Sequence, residues 1–101
     1  MLNNNNQIVK LTENNFNNIQ SNEISLSFVF SKRDINKLYL NVKESSYFRE
    51  VIKELQNKYS FLKDIEIDYY LFNGNIIYLN KTVKENGLKQ NSEIVLIEKD
   101  S

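Results

Sequence analysis

Between Ile24 and Ile97 the spacing of apolar residues changes period twice, from strand-like to helix-like and back. Few architectures accept that order. A period of two needs a strand with one buried face, and a period of about 3.6 needs a helix with one buried stripe. Ile24, Leu26, Phe28 and Phe30 alternate with Ser25, Ser27 and Val29. Leu38, Leu40 and Val42 alternate with Tyr39, Asn41 and Lys43. The polar stretch Ser31–Asn36 joins the two runs, so they read as an antiparallel hairpin.

Phe48, Val51, Ile52, Leu55 and Tyr59 then recur at helical spacing, with Arg49, Glu50, Lys53, Glu54, Asn57 and Lys58 on the other face. Ser45-Ser46 offers an N-cap. Glu50–Lys53 and Glu54–Lys58 are placed to pair along the surface. From Asp64 to Phe72 the chain is β-rich, and Asn73-Gly74 follows. That dipeptide is a strong two-residue hairpin signal, because both residues tolerate positive φ. The spacing predicts a returning strand over Asn75–Leu79 and a polar connection over Lys81–Gln90. Val83 and Leu88 pin that connection, Gly87 takes a left-handed conformation, and Ile94–Ile97 forms the last strand.

Parity along the β-rich stretch contains a conflict. If Tyr70 and Phe72 face the helix, Leu71 faces out, yet Ile65 and Ile67 share the parity of Leu71. The segment needs a bend near Asp68 or a different register. The order of elements implies an α+β fold in which one helix packs across one face of a mixed sheet.

A chain of 101 residues has room for one domain. Hydrophobic residues make up 41% and aromatic residues 12%, enough for one core. Lys+Arg and Asp+Glu are both 13, so the basic excess usual in nucleic-acid binders is missing. With no Cys and no His, the chain has no thiolate nucleophile, imidazole base or usual zinc ligand. No apolar run approaches the roughly 18 residues of a membrane span, and no signal pattern opens the chain. The expectation is a protein of the cytoplasm or nucleus. It is expected to have no enzymatic activity, cofactor, metal or small-molecule substrate, and not to engage nucleic acid or membrane.

Residues 1–23 read differently from the rest. Nine of the first 22 residues are Asn, and the apolar residues fit neither period. Asn side chains compete for backbone hydrogen bonds, so this Asn-rich segment is expected to be a disordered tail before a domain spanning 24–99. Ile8-Val9-Lys10-Leu11 is its one candidate anchor for a partner.

Three segments carry a resemblance. Tyr70-Leu71-Phe72-Asn73-Gly74 is similar to the Leu-Ile-Phe-Ala-Gly or Phe-Leu-Phe-Glu-Gly of ubiquitin and its small ubiquitin-like modifier (SUMO) relatives. Asn80–Leu88 is similar to the Thr-Leu or Thr-Pro segment that follows it there, and Asn91–Ile97 looks like their last strand. The order and spacing match from Ile24 to Lys99, and the Asn-rich start is SUMO-like. The resemblance implies a ubiquitin-like β-grasp. Conjugated relatives expose a C-terminal Gly-Gly. This sequence ends Glu98-Lys99-Asp100-Ser101, and its two glycines, Gly74 and Gly87, lie inside the fold. The expectation is therefore that it is not conjugated.

The resemblance implies two binding surfaces. The first is an apolar sheet patch centred on Leu71, with Val95 and Ile97 from the last strand and Arg33 where relatives carry a Leu in the first loop. The second is a groove beside the second strand that accepts an extended peptide, matching Tyr39, Asn41, Lys43 and Lys58, with Glu50 where SUMO has a Lys. The competing reading makes Leu71 and Ile97 ordinary sheet residues, and Leu40, Val42 and Val51 plain core. Tyr69, Tyr70 and Tyr78 lack the basic cluster of a stacking platform, and Asp64, Glu66 and Asp68 read as a solvated row. The function expected is a non-catalytic protein–protein interaction module, a non-conjugatable adaptor whose partners are other proteins. The alternatives are a small structural subunit of a larger assembly and, third, a modifier precursor with an incomplete C-terminus.

Overall fold

The structure, a computed structural model, describes residues 23–100. The expected tail lies outside the described residues except for Glu23, which opens the first strand. In chain order the elements are β1 (Glu23–Phe30), β2 (Leu38–Lys43), α1 (Phe48–Lys58), a 3₁₀ turn (Ser60–Asp64), β3 (Ile67–Phe72), β4 (Asn75–Ile76) and β5 (Ser92–Glu98). The sheet runs β2-β1-β5-β3-β4. β1 and β5 are parallel, and every other pair is antiparallel. This is the mixed sheet with one helix, an α+β β-grasp.

The alternation in the sequence sets which face is buried. Ile24, Leu26, Phe28 and Phe30 of β1, Leu38 and Val42 of β2, and Ile94 and Leu96 of β5 join Phe48, Val51 and Leu55 of α1 in one cluster. The Phe48 ring meets Tyr70 edge-on, with centroids 5.4 Å apart. Val83 and Leu88 are buried, as the connection required.

β3 resolves its own parity conflict with a bulge. Ile67 pairs with Glu98 and Tyr69 with Ile97, so β3 advances two residues where β5 advances one, and Asp68 is the extra residue. A β-bulge of this kind reverses the facing of everything beyond it. Ile65, Ile67, Tyr70 and Phe72 can then all pack against the core. Beyond Phe72, Asn73 (φ 52°) and Gly74 (φ 79°) form the two-residue turn. Gly87 has φ 78°, as the polar connection required.

Four expectations need correcting. The returning strand covers only Asn75–Ile76 and not Asn75–Leu79. After Ile77, whose N–H donates to the Tyr70 carbonyl, the chain leaves the sheet to reach the start of α1. The cap of α1 is Tyr47, with no side-chain bond, rather than Ser45-Ser46. The Phe48 N–H donates to the Lys81 carbonyl at 2.9 Å and the Arg49 N–H to the Leu79 carbonyl at 3.1 Å. A neighbouring loop thus satisfies donors that helix starts leave open, and a side-chain cap has nothing left to do. Glu50 and Lys53 do pair, at 3.9 Å. Lys58 instead donates to the Tyr39 carbonyl at 3.0 Å rather than to Glu54. The acidic row is also broken up: Asp64 ends the 3₁₀ turn and Asp68 sits in the bulge.

Candidate functional site: the open face of the sheet

α1 covers one face of the sheet. On the opposite face, strand register builds an apolar row. Val29 of β1 pairs with Val95 of β5, Val95 with Leu71 of β3, and Leu71 with Ile76 of β4. The next row pairs Tyr69 with Ile97. Val29, Leu71, Val95 and Ile97 are half-buried by their neighbours, whereas Ile76 is 54% and Tyr69 39% exposed. The bulge is what makes these rows continuous, because it sets Leu71 and Tyr69 opposite Val95 and Ile97 while the core residues of β3 keep facing α1.

The structure therefore brings Leu71, Val95 and Ile97 together. It adds Val29, Tyr69 and Ile76, which sequence reasoning did not assign. Their signal was present: Val29 is the out-facing position of an amphipathic strand, and Ile76 is fixed opposite Leu71 by the two-residue turn. Arg33 does not join them. Its Nε donates to Glu98 Oε2 at 2.8 Å. Glu98 has the parity of Ile94 and Leu96, so the contact that holds the guanidinium lies on the other side of β5 from Val95 and Ile97.

Three ion pairs link the β1–β2 connection to β5 and the residues after it. Lys37 meets Glu93 at 2.8 Å, Arg33 meets Glu98, and Lys32 meets Asp100. These bonds shift the titration of the three cations and of Asp100. The hydrogen bond and charge of Asp100 raise the Lys32 ammonium, and Lys32 in turn lowers the Asp100 carboxyl. Glu98 raises Arg33 and Glu93 raises Lys37 by the same means. The Lys32–Asp100 and Lys37–Glu93 pairs are exposed to solvent, so they orient side chains more than they stabilise the fold. A shallow depression of about 190 Å³, lined in part by Ser27, Lys37, Tyr39 and Glu93, lies beside the row.

The second surface is the edge of β2, the outermost strand beside β1. A peptide added there needs the outward N–H and C=O groups of Tyr39, Asn41 and Lys43. At Tyr39 those groups are occupied. The Tyr39 N–H donates to the Tyr59 hydroxyl at 3.2 Å, and its carbonyl accepts from that hydroxyl at 3.3 Å and from Lys58. The Lys43 carbonyl accepts from the Ser46 N–H at 3.1 Å. The Asn41 side chain accepts from the Ser25 hydroxyl at 2.7 Å. Val42 and Val51 are core residues and Leu40 packs against the core. Lys58, expected to steer a peptide, is the residue that helps close the edge.

Five strands in this order, with one helix across them, define the ubiquitin-like β-grasp. Solved structures bear out the fold. The ubiquitin of Caldiarchaeum subterraneum matches with a TM-score of 0.64 at 15% identity, over 78% of this chain and 96% of its own. A de novo design based on ubiquitin matches at 0.64 and 14%, over 79% and 93%. An N-terminal ubiquitin-like domain solved in solution matches at 0.61 and 15%, over 84% and 83%. No protein-family profile matches the sequence, and no curated protein does. Among the described residues, no helix is long and apolar enough to cross a membrane.

Proposed function

We propose that the domain is a non-catalytic protein-interaction module, an adaptor that docks other proteins on the open face of its sheet around Leu71, Val95 and Ile97. The observation that carries this reading is the row Val29–Val95–Leu71–Ile76, with Tyr69 and Ile97 beside it. A strand face this apolar, left uncovered by the helix, is the kind of surface that proteins bury against one another. The balanced formal charge favours a protein partner over nucleic acid.

A second reading is a fixed structural subunit. The Lys37–Glu93 pair beside the face favours it, because a rim charge neutralised by its own ion pair gives little long-range steering. Such a rim suits a contact made once and kept. Native purification of the tagged protein from its own cells separates the two. A constant set of partners at equal stoichiometry supports the subunit. Many substoichiometric partners that are lost from a Leu71→Asp, Ile97→Asp variant support the adaptor. Partners captured equally by that variant overturn both readings, and a covalent ladder of the protein on other chains overturns the adaptor.

A further inference from the structure

A second cluster of exposed aromatic and apolar side chains lies away from the open face, where the 78–82 loop meets the start of α1. Tyr47 is 48%, Tyr78 55% and Leu79 46% exposed. Tyr47 is far from Tyr78 and Leu79 in sequence, and the backbone holds the segments together. Tyr47 bridges Thr82, and the Arg49 N–H donates to the Leu79 carbonyl. Two cations lie over the rings. The Arg49 guanidinium is 5.7 Å from the Tyr47 ring centroid, and Lys81 Nζ is 5.0 Å from that of Tyr78. Among the described residues, neither cation makes a salt bridge.

Two nearby carboxylates, Glu85 and Glu50, are engaged elsewhere. Glu85 Oε1 accepts from the Thr82 N–H at 2.9 Å while the Glu85 N–H donates to the Thr82 hydroxyl at 3.0 Å, a reciprocal capping arrangement. Glu50 leans toward Lys53. The loop is braced from inside by Asn86, whose amide bonds both backbone groups of Tyr78 and the Thr82 carbonyl. Rings held on a braced loop lose little freedom when they are covered, and that keeps the cost of binding low. The start of α1 itself is not the attraction, because loop carbonyls already take the Phe48 and Arg49 N–H groups.

We infer that Tyr47, Arg49, Tyr78, Leu79 and Lys81 form a second docking surface, and that its occupant is a short acidic peptide segment carrying apolar side chains. The cations supply the charge complement and the two rings and Leu79 supply the apolar contact. Among the described residues, neither cation has an ion pair for an acidic segment to displace. This surface goes beyond the sheet-face reading and does not depend on it.

The test is a titration of the ¹⁵N-labelled full chain with the peptide Asp-Glu-Asp-Leu-Asp-Phe-Glu-Asp, followed by amide shifts and by fluorescence anisotropy of a labelled copy. The expected result is shifts confined to Tyr47, Arg49 and the 78–82 loop, with affinity falling as salt is added. Arg49→Glu with Lys81→Glu should weaken binding at least tenfold, and Tyr78→Ser, an independent variant of an exposed side chain, should weaken it too. Leu71→Asp with Ile97→Asp should leave it unchanged, so failure of the sheet-face reading is seen separately. No shift at millimolar peptide overturns the proposal. So do shifts on the sheet face, unchanged affinity in the charge-reversed chain, or equal binding of a single-stranded oligonucleotide of the same charge.

Discussion

Asn86 pairs with Tyr78 as a neighbouring strand would. Its Oδ1 accepts from the Tyr78 N–H at 2.8 Å and its Nδ2 donates to the Tyr78 carbonyl at 2.9 Å. One side chain thus replaces the ladder that β4 loses after Ile76. It also holds the loop whose carbonyls receive the first N–H groups of α1.

Replacing Asn86 with Ala should therefore cost about 1–3 kcal/mol, since both backbone groups of Tyr78 and the partly buried Thr82 carbonyl lose their partner together. The loss should appear in urea unfolding. Amide exchange should quicken at Tyr78 and also at Phe48 and Arg49, two elements away. Slow exchange at Phe48 and Arg49 in that variant would show that the loop caps α1 without help from Asn86.

The edge of β2 gives a second expectation. The Tyr59 hydroxyl both donates to and accepts from the backbone of Tyr39. Tyr59→Phe should lower stability by about 1 kcal/mol and raise the exchange rate of the Tyr39 amide. It should also make the edge more open to pairing with another strand, visible as weak self-association in sedimentation. An unchanged Tyr39 amide would show that Lys58 alone closes that edge.

On the open face, Leu71→Asp and Ile97→Asp should each change stability by no more than about 1 kcal/mol, because both side chains stand on the face away from the core. Partner binding should fall by about 100-fold or more if they are central anchors. Comparing urea midpoints with partner capture for the same protein separates the two effects. A collapse of the fold would mean that these residues belong to the core after all.

Alkaline pH addresses Tyr70. Burial raises its phenol above the ordinary value of 10.0. The folded chain then holds this proton to higher pH than the unfolded chain does. Its contribution to stability is complete below the unfolded value and is lost as pH rises through the folded one. Urea midpoints should therefore fall above about pH 10, and Tyr70→Phe should flatten that fall. An identical slope in the variant would assign the effect to other groups.

Much of the fold was legible because short-range rules govern it. Alternation placed β1 and β2, a short apolar run placed β5, the 3.6 period placed α1, and Asn73-Gly74 fixed the hairpin. Even the bulge was visible as a parity conflict around Asp68. What could not be read depends on contacts between distant segments. Ser45-Ser46 has the composition of a cap, but carbonyls from residues 79 and 81 reach α1 first. Lys58 matches a peptide-steering position, but Tyr39 is close enough to claim it. Arg33 matches a patch position, but Glu98 draws it off the face. The candidate site follows the same division. Leu71, Val95 and Ile97 came from the resemblance to ubiquitin-like sequences, whereas Tyr69 needed the register of β3 against β5.

The extra residue at Asp68 works as a phase shifter. Ahead of it, side chains are set by the needs of the helix-side interior. Beyond it, the same strand presents Tyr69 and Leu71 outward in step with β5. Deleting that residue would put the two halves of the strand back in one phase, so either Ile67 or Leu71 would have to change sides. The sequence of the outward row can thus drift toward a new partner without touching the residues before the bulge, and the interior can be repacked without disturbing the row.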